Sequence, residues 1–545
     1  MSLNNKTTDN FIFENMPQKN DWPNFINTNN TTINCVTSLL DNAVSEGYGK
    51  KIAICSLNEK WTYQELLNKV NQIANVLVDD LGLLPGNRVL LRSANTPMLA
   101  ACWLAVIKAG GIVVTTIAML RAKEITTIAS RSGASIALCD VRLKKELKLT
   151  QSELTNLQAL YFNTEVSAPL SLEASMAKKS VNFVAHQPLN DDIALIGFTS
   201  GTTGKPKGAM HSHNAVMAVC ETFATHVVKA TSNDVFSGTP PLGFVYGLGA
   251  LLLFPLYARA TVVLLENVNP QSFAEAIAEF KISILFTAPT AYKALLNFYE
   301  NEIDKNKLDS LTKCFSAGEA LPTYVSEGWV EKAGIRLMDG IGSTELLHIF
   351  LSVQNKTDPI GSLGKPVQGY EVCILDDNGQ ELGINQVGLL AVRGPTGCLY
   401  LNDKRQKNYV KNGWNITGDT AKMDENGFFW YQARTDGMII SSGYNIAAPD
   451  VEATISRHPS VAECAVIGIP NTARGNIVRA YIVLNESFLP SDVLVKDIQD
   501  FAKQQAAPYK YPRSIKFIDE LPRTKTGKIQ HFVLKEMVKQ STNKS

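Results

Sequence analysis

An α/β fold in more than one domain is predicted by three features of this sequence. Helical and strand patterns alternate over 88–116 and again over 261–338, a glycine-rich loop follows a short buried run at 193–196, and the texture shifts to short strands and glycine turns past Gly361. With 545 residues the chain exceeds one ordinary domain. The expected architecture is a large N-terminal domain of two α/β sheet subdomains plus a small β subdomain, followed by a small α+β C-terminal domain.

Residues up to about Thr31 are polar and rich in Asn, and Trp22-Pro23-Asn24-Phe25 is expected to anchor them on the body. Tyr63, Leu66, Leu67, Val70, Ile73, Ala74, Leu77 and Val78 recur at helical spacing, and the pattern stops at Gly82. A strand over 88–92, a helix over 98–109 and a strand over 112–116 follow. Beyond the glycine loop the rhythm resumes with strands at 261–265 and 282–287, helices at 270–280 and 291–299, and short strands at 311–316 and 335–338. The last two run into polar turns, Ala317-Gly318-Glu319 and the stretch from Asp339 to Glu345. Ligands of open parallel sheets bind beyond the carboxyl ends of the strands, so these turns and the glycine loop form one candidate site. Strands at 371–375 and 388–393 make the small β part. From about Asp436 a compact α+β unit is expected, with helices near 449–457 and 491–505 and strands at 465–469, 478–484 and 514–518.

The glycine loop, Phe198 to Gly208, reads FTSGTTGKPKG. Gly201, Gly204 and Gly208 let backbone N–H groups approach a ligand, while Lys205, Lys207 and four hydroxyls supply charge and donors. That mixture beside a buried strand suits phosphate. It is not a Walker A loop, because Pro206 stands where that pattern needs glycine. A solvated surface loop is the ordinary alternative.

Bulk properties exclude several classes. Lys+Arg at 52 against Asp+Glu at 51 gives a net charge of +1, without the footprint of a polyanion binder. Nine cysteines lie far apart with no pair at metal-ligand spacing, so idle thiols in a reducing compartment are expected. The N-terminus lacks the apolar core of a secretory signal. Two apolar stretches, 99–120 and 247–265, are interrupted by Lys108 with Gly110-Gly111 and by Pro255 with Arg259, so neither is expected to span a membrane. A cytoplasmic protein is the expectation.

Five motifs then occur in order: FTSGTTGKPKG, DGIGSTE from Asp339, TGD at Thr417 to Asp419, RTDGMIISSGYNI from Arg434, and PRTKTGKI from Pro522. Over nearly its whole length the chain resembles the adenylate-forming superfamily of acyl-CoA synthetases, luciferases and peptide-synthetase adenylation domains. Within it, GSTELLHIFLS (342–352), PPLGFVYGLGALLLFPL (240–256) and NTPMLAACWLAVIKAGGI (95–112) most resemble benzoate-CoA and 2-aminobenzoate-CoA ligases. The resemblance implies an N-terminal AMP-binding domain over 1–435 and a mobile C-terminal domain over 436–545, hinged at Asp436. It implies ATP, Mg²⁺ and coenzyme A, with a carboxylate first adenylated and the acyl group then passed to a thiol. Negative charge builds in both transition states, which calls for cations and donors.

By resemblance, Thr199, Ser200, Gly201, Thr202, Thr203 and Lys207 cradle the β- and γ-phosphates, and Thr344 bonds the α-phosphate. Glu345 resembles the Mg²⁺ ligand, a carboxylate for a hard cation. Gly318, Glu319 and Ala320 lie against adenine, with Asp339 and Gly340 at its exocyclic edge. Asp419 and Arg434 approach the ribose. Lys528 resembles the lysine that enters the site for adenylation, and Ser442 and Gly443 the face brought up for thioester formation. Gly437 and Gln530 depart from the pattern, where charged residues are common.

The acyl pocket is expected around Phe244, Tyr246, Gly247, Ile341, Gly342 and His348. A plain core segment at 244–248 and a buried hydrogen-bonded histidine at 348 are the ordinary alternatives. Between Gly238 and Leu256 there is no acidic residue to pair a substrate ammonium, which disfavours free α-amino acids. A neutral aryl amine survives that argument. His211-Ser212-His213 has no third ligand in view, so no metal is expected there. Medium-chain acids, a carrier-protein thiol as acceptor, and a nucleotide-binding regulator without turnover remain open, as does a monomer or homodimer.

Overall fold

The computed structural model describes residues 9–542 except 29–31, 190, 200–205, 302–304, 320, 436–437, 442–443, 472–474, 507–509 and 525–526. Two compact units emerge. One comprises the described residues of 1–199, 206–372 and 392–415, and the other those of 373–391 and 416–545.

The first unit holds two sheets. A six-stranded sheet runs in the order Gln158–Phe162, Ile136–Asp140, Arg88–Ser93, Ile112–Ile117, Ile193–Thr199, Lys207–Ser212. All neighbours are parallel except the last pair, which is antiparallel. Every residue of Arg88–Ser93 and Ile112–Ile117 is buried, as expected of strands covered on both faces. Leu90, Val114, Ala137, Ile196 and Met210 meet in one core cluster. Each fully buried Leu, Ile or Val contributes about 1.5–3 kcal/mol.

A nine-stranded sheet runs Lys365–Pro366, Ile349–Ser352, Leu337–Gly342, Lys313–Ser316, Ile284–Thr287, Val235–Gly238, Thr261–Leu264, Ile52–Cys55, Lys60–Thr62. Its central strands are parallel, and antiparallel strands close both ends. The helices start where local chemistry says they should. Thr62 and Glu65 form a capping box for Tyr63–Asn75, and Asn269 with Pro270 opens Pro270–Phe280. Thr96 caps Pro97–Lys108, which is buried throughout.

In the second unit Asp419–Met423, the end of the strand Trp414–Met423, pairs antiparallel with Phe429–Arg434. Tyr444–Ala447, Met438–Ser441, Gly475–Leu484, Val461–Asn471 and Ser514–Phe517 form a further sheet. Its period-two alternation feeds two cores. Val466, Val478, Ala480 and Ile482 pack with Val451 and Ile498, while Ala465, Ile467 and Tyr481 pack with Leu534.

Three expectations are corrected. Asp339–Gly342 is not part of a turn. It continues the strand Leu337–Gly342, because Ile341 and its neighbours pair with Ile349–Ser352, and the reversal moves to 343–348. The glycine loop is shorter than 198–208, since Thr199 pairs with Lys207 and Phe198 with Gly208. Two strands, Ile136–Asp140 and Gln158–Phe162, extend the first sheet beyond the predicted pattern. All nine cysteines are free and buried. Among the described residues, no helix is long and apolar enough to cross a membrane.

Candidate active site

The antiparallel pair Thr199↔Lys207 places the two ends of the glycine loop side by side. The loop residues between them, Ser200, Gly201, Thr202 and Thr203, lie outside the described residues, as do Ala320, Asp436, Gly437, Ser442 and Gly443. The strand below the loop touches the second motif directly. A Cβ on Gly197 would stand 3.0 Å from the Thr344 methyl, so Thr344 rests on that strand's backbone. Thr344–Leu346 is a short helical turn started by Ser343, whose hydroxyl accepts from the Leu346 N–H at 3.3 Å. From below, His211 Nε2 donates to the Thr344 carbonyl at 2.7 Å. Burial pushes His211 down to about 4, so the ring is neutral and acts as a strut. His213 points elsewhere, accepting from the Cys35 N–H at 3.3 Å. No group of three or more His, Cys, Asp or Glu able to hold a metal occurs among the described residues.

Glu345 is 6% exposed and lies 3.6 Å from Lys207 Nζ. Between them stands Tyr400, which sequence reasoning missed. Its hydroxyl donates to Glu345 Oε1 at 2.5 Å and accepts from Lys207 Nζ at 2.7 Å. The other Glu345 oxygen has no hydrogen bond among the described residues. A lone buried carboxylate with one free oxygen suits Mg²⁺, which takes one or two carboxylates and completes its shell with phosphate and water.

Along the nine-stranded sheet, the strand Lys313–Ser316 leads to Gly318, where φ is +92° and the side a Cβ would occupy is open. Glu319 follows it and is exposed. Ser316 and Asp339 are register partners on adjacent parallel strands. Ser316 Oγ and Asp339 Oδ1 lie near each other without a well-formed hydrogen bond among the described residues, and Thr199 Oγ1 is buried and unpartnered among them. Such groups are rare in finished interiors and are expected where a ligand completes them. Burial raises the Asp339 carboxyl to about 7, outweighing the nearby Ser316 hydroxyl, its own strand's N–H at Gly340, and Arg336. Gly340 lies close under Ile349 and the Leu351 carbonyl.

The segment with the expected acyl-pocket residues is helical. Phe244 is the N-cap, and Val245–Leu248 opens a run that continues to Tyr257. Tyr246 donates to the Phe315 carbonyl at 3.1 Å, so its ring face rather than its hydroxyl is offered. Gly247 abuts the Pro241 carbonyl, where a Cβ would sit at 2.1 Å. On the facing hairpin, Leu347 takes φ +66°, a strained value that re-aims the chain into His348. His348 is 2% exposed, with ring centroids 4.6 Å from Phe254, 5.0 Å from Phe223 and 5.7 Å from Tyr246. It covers Gly249, where a Cβ would stand 2.4 Å from Cδ2. Neither ring nitrogen makes a well-formed hydrogen bond among the described residues, and burial lowers the imidazole to about 3. Ile341 and exposed Gly342 edge the same hairpin, and Gly342 lies against the His348 carbonyl. A separate apolar cavity lined by Leu91, Trp103, Leu242 and Leu248 carries no titratable side chain.

In the second unit Asp419 is 7% exposed and its N–H donates to Thr417 Oγ1 at 3.2 Å. It pairs in register with Arg434, so these two ribose candidates are cross-strand neighbours. Lys528 is exposed at a tight turn closed by Thr524 N–H donating to the Lys528 carbonyl at 2.8 Å. Tyr400 and His211 gave no sequence signal of their roles. Tyr400 sits in an ordinary apolar run, and His211 read as half of a histidine pair.

The AMP-binding enzyme family matches residues 41–399, and its C-terminal domain matches 450–528. The benzoate–CoA ligase of Thauera aromatica is 32% identical over 506 residues, covering 92% of this chain and 95% of its own length. The mitochondrial acyl-coenzyme A synthetase ACSM3 of Rattus norvegicus is 31% identical over 498 residues, covering 89% and 84%. The crystal structure of the anthranilate CoA ligase AuaEII in complex with anthranoyl-AMP superposes with a TM-score of 0.86 at 30% identity, over 97% of this chain and 100% of that one. The chain belongs to the AMP-binding, adenylate-forming enzymes, as an acyl-CoA ligase that activates a carboxylic acid as acyl-AMP and uses ATP and coenzyme A.

Proposed function

We propose that the chain is an ATP- and Mg²⁺-dependent ligase joining an aromatic acid of the benzoate or 2-aminobenzoate type to coenzyme A. The observation that carries the aryl reading is the uncharged aromatic wall. Partly exposed Tyr246 packs on His348, which is buried and neutral among Phe223 and Phe254, so the expected acyl-pocket residues belong to a cluster of rings without charge. Flat rings pack against such walls edge-to-face or offset at about 0.5–1.5 kcal/mol beyond simple burial. Similarity to benzoate and anthranilate ligases supports this reading. Comparable identity to ACSM3 favours a second reading, a ligase for medium-chain or other apolar acids.

In this reading Lys207, Thr199 and the loop between them hold the outer phosphates, and Thr344, braced by His211, holds the α-phosphate. Glu345 holds Mg²⁺, which would supply charge neutralisation at the phosphates. Asp339 meets the adenine amino group, Asp419 and Arg434 meet the ribose, and Lys528 stabilises the charge that develops on adenylation. The domain boundary falls at 435/436, with Asp436 as hinge and Ser442 and Gly443 on the thioester-forming face. Free, buried thiols fit a reducing, cytoplasmic setting.

Pyrophosphate release is measured with benzoate, 2-aminobenzoate and a series of alkanoates, with coenzyme A and a carrier protein compared as acceptors. Benzoates are expected to give the highest kcat/KM with coenzyme A. Turnover confined to alkanoates sinks the aryl reading, and turnover confined to the carrier protein moves the acceptor.

Asp339 gives a pH signature. Its raised carboxyl makes the folded state bind a proton that the unfolded chain has released, so it lowers stability progressively as pH rises from about 4 to about 7. Asp339→Asn removes this dependence, and the variant gains on the wild type between pH 5 and 8 in denaturant melts. A charged acceptor exceeds a neutral one by about 1 kcal/mol, so wild-type KM for ATP rises on the order of fivefold below pH 7. The same slope in Asp339→Asn would overturn the assignment.

A further inference from the structure

We propose that Tyr400 is a positioning residue for adenylation, holding Lys207 and Glu345 apart and aimed until nucleotide arrives; this rests on the reading of that pair as phosphate- and Mg²⁺-binding groups. Tyr400 is 1% exposed and its backbone is laced to the strand that carries Lys207. Met210 N–H donates to the Leu399 carbonyl at 2.8 Å, Leu401 N–H to the Gly208 carbonyl at 2.9 Å, and Ala209 bridges Tyr400. Gln406 fixes the other side, accepting from the Tyr400 N–H at 2.8 Å while donating to the Cys398 carbonyl at 2.9 Å. The phenol therefore has little freedom to follow either partner.

A phenol hydroxyl has one proton to give and lone pairs to receive. The proton is committed to Glu345 and a lone pair to Lys207. Left to themselves, an ammonium and a carboxylate close to about 2.7–2.9 Å. Here the interposed oxygen keeps them at 3.6 Å. The lysine is also flanked by ring faces, with Nζ 4.7 Å from the Tyr400 centroid and 5.8 Å from that of Tyr409. Because its oxygen partner is neutral, Lys207 can exchange it for a phosphate oxygen without stripping a bare carboxylate. One Glu345 oxygen stays pinned, which aims the other.

In Tyr400→Phe the ring and its packing remain and only the spacer oxygen goes, so Lys207 and Glu345 close on each other. Acyl-AMP formation is expected to fall about 10- to 100-fold, with the Mg²⁺ titration shifted to higher concentration. Thioester formation from supplied acyl-AMP stays within about twofold, and the melting temperature confirms folding. Added to Lys207→Ala, the Phe substitution costs less than about threefold more, since its partner is already gone. Equal losses in both half-reactions with an unmoved Mg²⁺ titration, or full additivity with Lys207→Ala, overturn the inference in favour of a packing role. Lys207→Ala impaired with Tyr400→Phe normal overturns the inference alone. Lys207→Ala at the wild-type rate overturns the assignment of the pair and the inference with it.

Discussion

Lys528→Ala is expected to cut acyl-AMP formation by about 10²–10³-fold while thioester formation from supplied acyl-AMP changes by a few-fold at most. The basis is local geometry. Lys528 closes a turn in which Gly527 has φ +86°, Thr524 N–H donates to the Lys528 carbonyl at 2.8 Å, and Lys528 N–H returns to Thr524 Oγ1 at 3.2 Å. Arg523 Nη1 ties the same turn through the Gly527 carbonyl at 2.6 Å, and Arg523 bridges Ile529. These bonds tie the described ends of the turn, from which the exposed Lys528 side chain projects. Removing that side chain leaves the turn intact, so stability should hold to within about 0.5 kcal/mol. Measured separately, the two half-reactions must part company. A variant that loses both equally, or neither, leaves Lys528 without the proposed role.

How much of this was legible in the sequence depends on what each residue's role requires. Motif residues act through their own chemistry, so Lys207, Thr344 and Glu345 could be named from the family resemblance that their motifs carry, and the structure brings Lys207 to Glu345. The central parallel strands were legible because double burial writes a continuous apolar run, as in Ile112–Ile117. Asp339–Gly342 was misread because two glycines and a carboxylate look like a turn. What makes them a strand is the antiparallel partner Ile349–Ser352, a tertiary fact absent from local propensity. Tyr400 stayed hidden because its role lies in where a hydroxyl lands, 193 residues from Lys207 and 55 from Glu345 in sequence. The neutral state of His348 was illegible for a related reason. An imidazole on an apolar stretch becomes a neutral wall only when Phe223, Phe254 and Gly249 close around it.

Glu345 offers the sharpest separation of charge from shape. In Glu345→Gln the side chain keeps its length and an oxygen to accept from Tyr400, so the buried hydroxyl remains satisfied and the turn started by Ser343 is untouched. What disappears is the negative charge that a hard cation needs. Acyl-AMP formation should fall at least about 100-fold and its response to added Mg²⁺ should flatten, because the lost term is electrostatic stabilisation where charge develops. Glu345→Ala removes the acceptor as well and strands the Tyr400 proton in a site that is 1% exposed. An unsatisfied buried donor costs about 1–3 kcal/mol, so Ala should be less stable than Gln by that amount in denaturant melts while the two are similarly inactive. Gln at the wild-type rate would remove Glu345 from the metal-binding role. Gln and Ala equally stable would mean that the Tyr400 hydroxyl is satisfied by another acceptor, and the arrangement of Lys207, Tyr400 and Glu345 would have to be redrawn.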